Sequence, residues 1–347
     1  MPKVTVLMPV YNAADYIKES IDSILNQTFD DFEFLIFNDG STDNSGHIVR
    51  SYDDERIRFY DSNQNKGYVY HLNHGIEIAK GEYIARMDAD DISLPKRFEK
   101  QVSFMDINPN VGVCGTWFKI IGSGDEIRHP LDNNSIRLSL LNHCAIGHPT
   151  VMLRACLLKE SGLRYEPSFV PAEDYFFWVA MSKYCELANL PEFLLEYRIH
   201  QNQISNYRRK EQVEKSQQLR RHQIEEMLTR AFTDIELNYY SLLFDETVDT
   251  TYINVENILM FIYLLRDSNQ KRCIYEANGF DKWLSDALIR ILNGRESKLL
   301  NQLQSDLQQS ETKLLQAQEL ISAIKSSKFW RLRQIWLIIK SFFRIHQ

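Results

Sequence analysis

Between residue 4 and about residue 113, short apolar runs alternate with segments whose apolar residues recur every three or four positions. Residues 4–8 read as a strand, Ile17, Ile21, Ile24 and Leu25 fall at helical spacing within 15–26, and 32–38 is again a strand. A turn and helix entry follow at Gly40-Ser41-Thr42-Asp43. The pattern then predicts a helix over 45–52, a strand over 57–60, a helix over 68–79 and a strand over 83–87. Such alternation implies a mainly parallel sheet with helices on both faces. Ligands of such sheets sit beyond the carboxyl ends of the strands. The segments to inspect are therefore Pro9-Val10-Tyr11, Asp39-Gly40-Ser41 and Asp88-Ala89-Asp90, two of them acidic.

Residues from about 114 to 205 are mixed, with a strand-like run at 113–121, a turn at Gly122-Ser123-Gly124 and a helix-like stretch over 173–184. They are expected to complete a first domain of residues 1–207. Past Tyr207 the composition shifts to Lys, Arg, Gln and Glu at helical periodicity, and 242–265 and 283–292 continue it as a helical annex over 208–295. Leu300, Leu303, Leu307, Ser310, Leu314, Ala317, Ile321 and Ile324 then step by threes and fours, a heptad seam in a segment spanning 296–324. Either a long amphipathic helix packed on its own domain or a homo-oligomer would use such a seam, and self-association is narrowly favoured. The segment 325–347 carries Lys325, Lys328, Arg331, Arg333, Lys340 and Arg344 among Phe329, Trp330, Trp336, Phe342 and Phe343, with no acidic residue. Cations interleaved with large aromatics describe a helix lying on an anionic membrane surface.

Composition narrows the class. The chain has 347 residues, 44% of them hydrophobic and 25% charged, which excludes wholesale disorder and leaves room for about two structural units. A net charge of −7 argues against nucleic acid as partner of the whole chain. Cys114, Cys144, Cys156, Cys185 and Cys273 are odd in number and widely spaced, so a disulfide framework and a zinc ribbon are not indicated and a reducing, cytoplasmic compartment is expected. The first residues show no signal-peptide pattern, and no apolar run approaches the roughly 18 residues of a spanning helix. Contact with a membrane is thus expected from its inner face.

The candidate chemistry starts at Asp88-Ala89-Asp90-Asp91, at the end of a predicted strand. Three carboxylates in four residues repel one another, and a divalent cation relieves that repulsion. Mg²⁺ or Mn²⁺ takes carboxylate oxygens and commonly shares them with substrate phosphates, so a phosphate-bearing ligand is expected. No G-x-G-x-x-G follows the first strand and no G-x-x-x-x-G-K-[ST] occurs, which disfavours a dinucleotide-dependent oxidoreductase and a P-loop NTPase.

The runs VTVLMPVYNAADYIKESIDSILNQTF, FEFLIFNDGSTDNS and NKGYVYHLNHGIEIAKGEYIARMDADDISLPKRFEKQ, with GHPTVMLR at 147–154, AEDYFFW at 172–178 and YRIHQNQIS at 197–205, resemble a family 2 glycosyltransferase in order and spacing. The resemblance covers roughly the first 205 residues. It implies an α/β GT-A fold, an inverting reaction and a nucleotide-sugar donor, UDP-linked by preference. It also implies that Pro9, Tyr11 and Asp39 lie against the nucleoside, that Asp88 holds ribose or metal-bound water, and that Asp90 ligates the metal. Lys66 is either a base or diphosphate contact or a solvated loop lysine. Sugar transfer further needs a carboxylate apart from the metal cluster to take the acceptor's proton. Glu173-Asp174 at a helix start qualifies, although acidic residues in a first turn also suit the helix dipole; the resemblance makes Asp174 the base and Glu173 an acceptor contact. His200 is a further candidate metal ligand, His148 is placed at the acceptor or diphosphate pocket, and Arg198 is available to balance phosphate charge. The Gln-x-x-Arg-Trp block of processive synthases is not evident, so transfer of a single sugar to a glycan or lipid-linked acceptor is expected. Two competitors remain at this stage: a catalytically inactive membrane-associated coiled-coil scaffold, and a nucleotidyltransferase using the same acidic cluster.

Overall fold

The computed structural model describes residues 1–200, 203, 208–244, 254–326 and 333. Its centre is a nine-stranded sheet in the order β3-β2-β1-β4-β8-β6-β9-β5, with β7 paired to β6. Strands β1 (Val4–Val10), β2 (Phe32–Asp39), β3 (Ile57–Ser62) and β4 (Tyr83–Arg86) form the parallel part. Residues of β1 alternate between two cores, as the two-residue period of a strand requires. Val4, Val6, Met8 and Val10 join Phe34 and Ile36 beneath helix α1 (Ile17–Leu25), which contributes Ile17, Ile21 and Ile24. Leu7 turns the other way, with Leu35 and Phe37, toward Leu72 and Ile76 of helix α3 (Tyr68–Ile78). Helix α2 (Ser45–Arg50) lies between β2 and β3 in the chain. These elements match the predicted ones to within a few residues at each end.

Beyond β4 the sheet is mixed. Strand β8 (Met152–Arg154) runs antiparallel to β4 and to β6 (Val111–Ile120), and the two-residue β7 (Glu126–Ile127) is antiparallel to β6. The twelve-residue β9 (Glu186–Tyr197) pairs parallel to β6, and the two-residue β5 (Ile92–Ser93) pairs antiparallel to β9. That last pairing carries the residues just after β9 to the acidic segment just before β5. Helix α4 (Arg97–Ile107) supplies an internal strut: the fully buried Arg97 guanidinium donates to the carbonyls of Arg86 (2.8 Å) and Val151 (3.1 Å), while Gln101 Nε2 donates to those of Cys114 (2.6 Å) and Thr150 (2.9 Å). Buried carbonyls at the end of β4, within β6 and just ahead of β8 thereby find side-chain donors. Helices α5 (Asn133–Ser139), α6 (Ala155–Ser161) and α7 (Glu173–Met181) complete this layer, α7 placing Phe177 and Trp178 in the second core.

Four helices follow: α8 (Arg209–Leu228), α9 (Asp234–Phe244), α10 (Val255–Arg272) and α11 (Ala277–Ser326). The predicted helical stretch 242–265 is thus shared by α9 and α10, with 245–253 outside the described residues. Packing groups Met1–Thr233 with Ile262–Trp283, and 234–261 with the residues from 284 onward. In the first unit Arg137 lies over the Tyr275 ring at 5.8 Å. In the second, the seam residues Leu314 and Ile321 of α11 are more than half exposed. No described helix is long and apolar enough to cross a membrane. The basic aromatic tail lies outside the described residues except for 325, 326 and 333.

Candidate active site

The site is built where β1, β2 and β4 end. After β2 the chain turns through Gly40 at φ +72°, where an added Cβ would also meet the backbone of Gln64 and Asn65 at 2.9 Å. Glycine alone suits both demands. The turn holds Asp39, 2% exposed, whose carboxylate accepts from the amides of Lys66 (2.6 Å) and Gly67 (3.0 Å) and lies 2.8 Å from His71 Nε2. Lys66 therefore meets Asp39 through its backbone, while its exposed ammonium sits 4.7 Å above the Tyr70 ring. Pro9 is partly exposed near the end of β1, and Tyr11 just beyond it is 53% exposed. Asn12, also left-handed at φ 49°, ties this edge to the β2 turn by accepting from the Thr42 amide at 2.8 Å. Pro9, Tyr11 and Asp39 thus cluster at one rim of the sheet.

Asp88, Asp90 and Asp91 each offer a carboxylate oxygen within 4.8 Å of the others. Asp91 is fully buried; its Oδ1 accepts from the Arg198 amide at 2.9 Å, and its Oδ2 is buried without a partner. Desolvation, with the neighbouring carboxylates, pushes Asp91 well above the ordinary carboxylate range and Asp88 up to about 6, against the pull of Arg86. Such a cluster fits a hard divalent cation: oxygen donors at close range, an orphaned carboxylate oxygen, and charges whose mutual repulsion an ion would remove. His200 Nε2 lies 2.9 Å from Asp90 Oδ2, so the residues predicted as metal ligands do meet. Arg198 arrives with His200, but its guanidinium is engaged by the Asp90 carbonyl (2.8 Å) and Glu19 (2.5 Å) and stacks over Tyr16 at 4.8 Å. It ties the segment after β9 onto the acidic loop.

The second carboxylate set stands at the start of α7. Glu173 is buried with Oε2 unpartnered, and the Tyr68 hydroxyl lies against its carboxyl. Burial and the adjacent Asp174 charge raise Glu173 to about 7. Asp174 is partly exposed; Oδ1 accepts from the Tyr175 amide at 2.7 Å and Oδ2 faces Cys144 Sγ at 3.7 Å, and desolvation raises it above the usual aspartate range. His148 is buried, 3.0 Å from the Tyr165 hydroxyl and 3.9 Å from Glu173 Oε1, and burial keeps it neutral by lowering its pKa well below the usual value.

Arg86, absent from the sequence-based candidates, stands between the two sets. It ends the wholly buried β4, pairs with Asp88, and leaves Nε buried without a partner. Its charge lowers the pKa of Asp88, Asp91, Glu173 and Asp174 together, so all four carboxyls lie within its electrostatic reach. Tyr68 and His71 were also missed. The signals for them were faint: a cation closing an apolar strand run, and polar residues at helical spacing behind Gly67.

Three comparisons with known proteins bear on the chain as a whole. The family model described as "Glycosyl transferase family 2" matches residues 5–159. An uncharacterised glycosyltransferase of Haemophilus influenzae is 37% identical over 281 residues, covering 77% of this chain and 87% of its own. The Escherichia coli enzyme named UDP-Glc:alpha-D-GlcNAc-diphosphoundecaprenol beta-1,3-glucosyltransferase WfgD is 32% identical over 211 residues, covering 60% and 81%. Among solved structures, S. aureus TarS 1–349 in complex with UDP-GlcNAc superposes with a TM-score of 0.56 at 18% identity, covering 86% of this chain and 92% of that one. Mannosyltransferase PcManGT from Pyrobaculum calidifontis, in complex with GDP-Man and Mn2+, gives 0.51 at 17% identity, covering 93% and 86%. These two share the fold. With a mixed sheet flanked by helices, an acidic loop at its carboxyl edge and a relative matched over nearly its whole length, the chain belongs to glycosyltransferase family 2.

Proposed function

We propose that this glycosyltransferase is metal-dependent and inverting, and moves one sugar from a UDP-linked donor to a hydroxyl of a glycan or lipid-linked acceptor. The observation that carries the reading is the pair of carboxylate sets, Asp88/Asp90/Asp91 and Glu173/Asp174, arranged about the buried cation Arg86. Asp174, the more exposed member of its pair, takes the proton of the acceptor hydroxyl as that oxygen bonds to the anomeric carbon. The bond from that carbon to the diphosphate oxygen breaks on the opposite face, which inverts the centre. Glu173, steadied by Tyr68 and neutral His148, contacts the acceptor. Asp90 and His200 are the residues to hold Mn²⁺ or Mg²⁺, with Asp88 beside them; a bound ion would neutralise the departing nucleoside diphosphate. Pro9, Tyr11 and Asp39 form the nucleoside rim, where the Asp39 carboxylate is fixed in orientation by two amides and His71.

Two further elements of the proposal rest on sequence. Segment 325–347 holds the enzyme on the inner face of the cell membrane, near a lipid-linked acceptor, and the 300–324 heptads join two copies. Nucleic acid has no part in it.

The test is transfer from a panel of UDP-sugars, with and without Mn²⁺, in three proteins. Wild type should release UDP only with acceptor and metal. Asp174→Asn should bind UDP–Mn²⁺ normally while turnover falls by about 10²–10⁴-fold, and Asp90→Ala should lose metal-dependent UDP binding. Substantial turnover in Asp174→Asn would remove it as the base.

A further inference from the structure

A groove of about 880 Å³ opens beside the first turn of α3. Among the described residues Lys66, Arg164, Arg208 and Lys215 line it against two carboxylates, Glu77 and Glu211. The cations are held from different elements. Arg164 Nη1 donates to the carbonyls of Leu158 (3.0 Å) and Leu163 (2.8 Å), Lys215 of α8 lies 5.7 Å from the centre of the Phe169 ring, and Arg208 pairs with Glu211. Tyr68 also lines the groove, and its hydroxyl lies against Glu173. The groove therefore leads to the proton-accepting pair, whereas Asp90 and Asp91 are joined by Arg198 and His200 from the segment after β9.

We infer that this groove binds the diphosphate group of the acceptor, a diphosphate ester whose sugar hydroxyl then reaches Asp174. The inference rests on the glycosyltransferase reading above and names the acceptor class for that site. Electrostatics favours this occupant. A diphosphate brought close to Glu173 and Asp174 is repelled by them, and only a set of cations outside the donor's metal site offsets that repulsion. The donor's own diphosphate is served by the acidic loop and its ion. A neutral acceptor would draw nothing from an excess of Lys and Arg, while the volume suits a diphosphate together with an attached sugar.

The test uses the full chain and farnesyl diphosphate as probe, titrated calorimetrically in EDTA beside farnesol, with UDP–Mn²⁺ titrated separately. Farnesyl diphosphate should bind and farnesol should not, and binding should weaken as salt rises. Arg208→Ala/Lys215→Ala should weaken farnesyl diphosphate by about ten-fold or more while UDP–Mn²⁺ affinity stays within about two-fold. Because Arg208 also pairs with Glu211, Lys215→Ala alone serves as the gentler variant and should show part of the same loss. No binding to wild type, or unchanged binding in both variants, overturns the inference. An equal loss of UDP–Mn²⁺ affinity overturns it too, by placing the donor in the groove. These titrations need no turnover, so a protein that binds farnesyl diphosphate through these cations yet transfers no sugar would sink the catalytic reading and leave the groove standing.

Discussion

Arg86 is a guanidinium at the end of a strand with no exposed residue, and its cost of burial is offset by the carboxylates around it. Its charge opposes the rise in their pKa values. Burial raises Asp174 above its ordinary value and Glu173 to about 7, and Arg86 pulls both back. A general base works only when ionised, so transfer should fail as pH falls through the titration of the pair, between the ordinary aspartate range and about 7. Removing the cation raises these pKa values further, so Arg86→Met should shift the acid limb of kcat/KM to higher pH. Arg86→Lys, which keeps a charge there, should restore most of it. The pH–rate profiles of the three proteins decide the matter, and an unmoved limb in Arg86→Met, in protein shown to be folded, would assign Arg86 to packing alone.

At the scale of elements, what was legible in the sequence is what is local in it. Asp88 to Asp91 and Glu173-Asp174 are contiguous and stand at the ends of strongly patterned elements, so both sets could be read directly. Arg86 could not. YIAR looks the same whether its last residue is solvated or buried, and only the pairing of β4 with β8 and the Arg97 bond to the Arg86 carbonyl close it in. Strand β8 itself spans three residues, too short to show a period, so the antiparallel turn of the sheet beyond β4 was hidden. Likewise the His71–Asp39 contact joins residues 32 positions apart. Helix α11 presents the converse case, a pattern visible in sequence whose use one chain does not reveal. Its Leu314 and Ile321 are exposed, and apolar seam residues in water favour a partner. If that partner is a second copy, Leu314→Glu/Ile321→Glu should convert an oligomer to a single chain in light scattering, with helix content kept because Glu is a good helix former. A wild type already at the mass of one chain, or an oligomer untouched by the two substitutions, would refute self-association through this seam.

For the whole molecule, the net charge of −7 and the six cations of 325–347 pull in opposite directions near an anionic surface. The long-range field of the acidic body repels such a surface, but that field fades within a Debye length of roughly 8 Å at physiological salt. The tail's attraction acts at contact, at about 1 kcal/mol for each cation near the surface. On such a surface its aromatic residues would add burial in the headgroup region that salt does not screen. Binding to vesicles should therefore be strong on anionic lipid and weaker, though not abolished, at high salt. Removing 325–347 leaves the acidic body without either attraction. In co-sedimentation with vesicles containing phosphatidylserine, the shortened protein should stay in the supernatant while transfer to a water-soluble acceptor is unaffected. Loss of transfer to a lipid-linked acceptor alone would then show that the tail contributes by raising the enzyme's concentration at the surface. Sedimentation of the shortened protein with anionic vesicles would instead locate membrane contact in the first 324 residues and remove the tail as anchor.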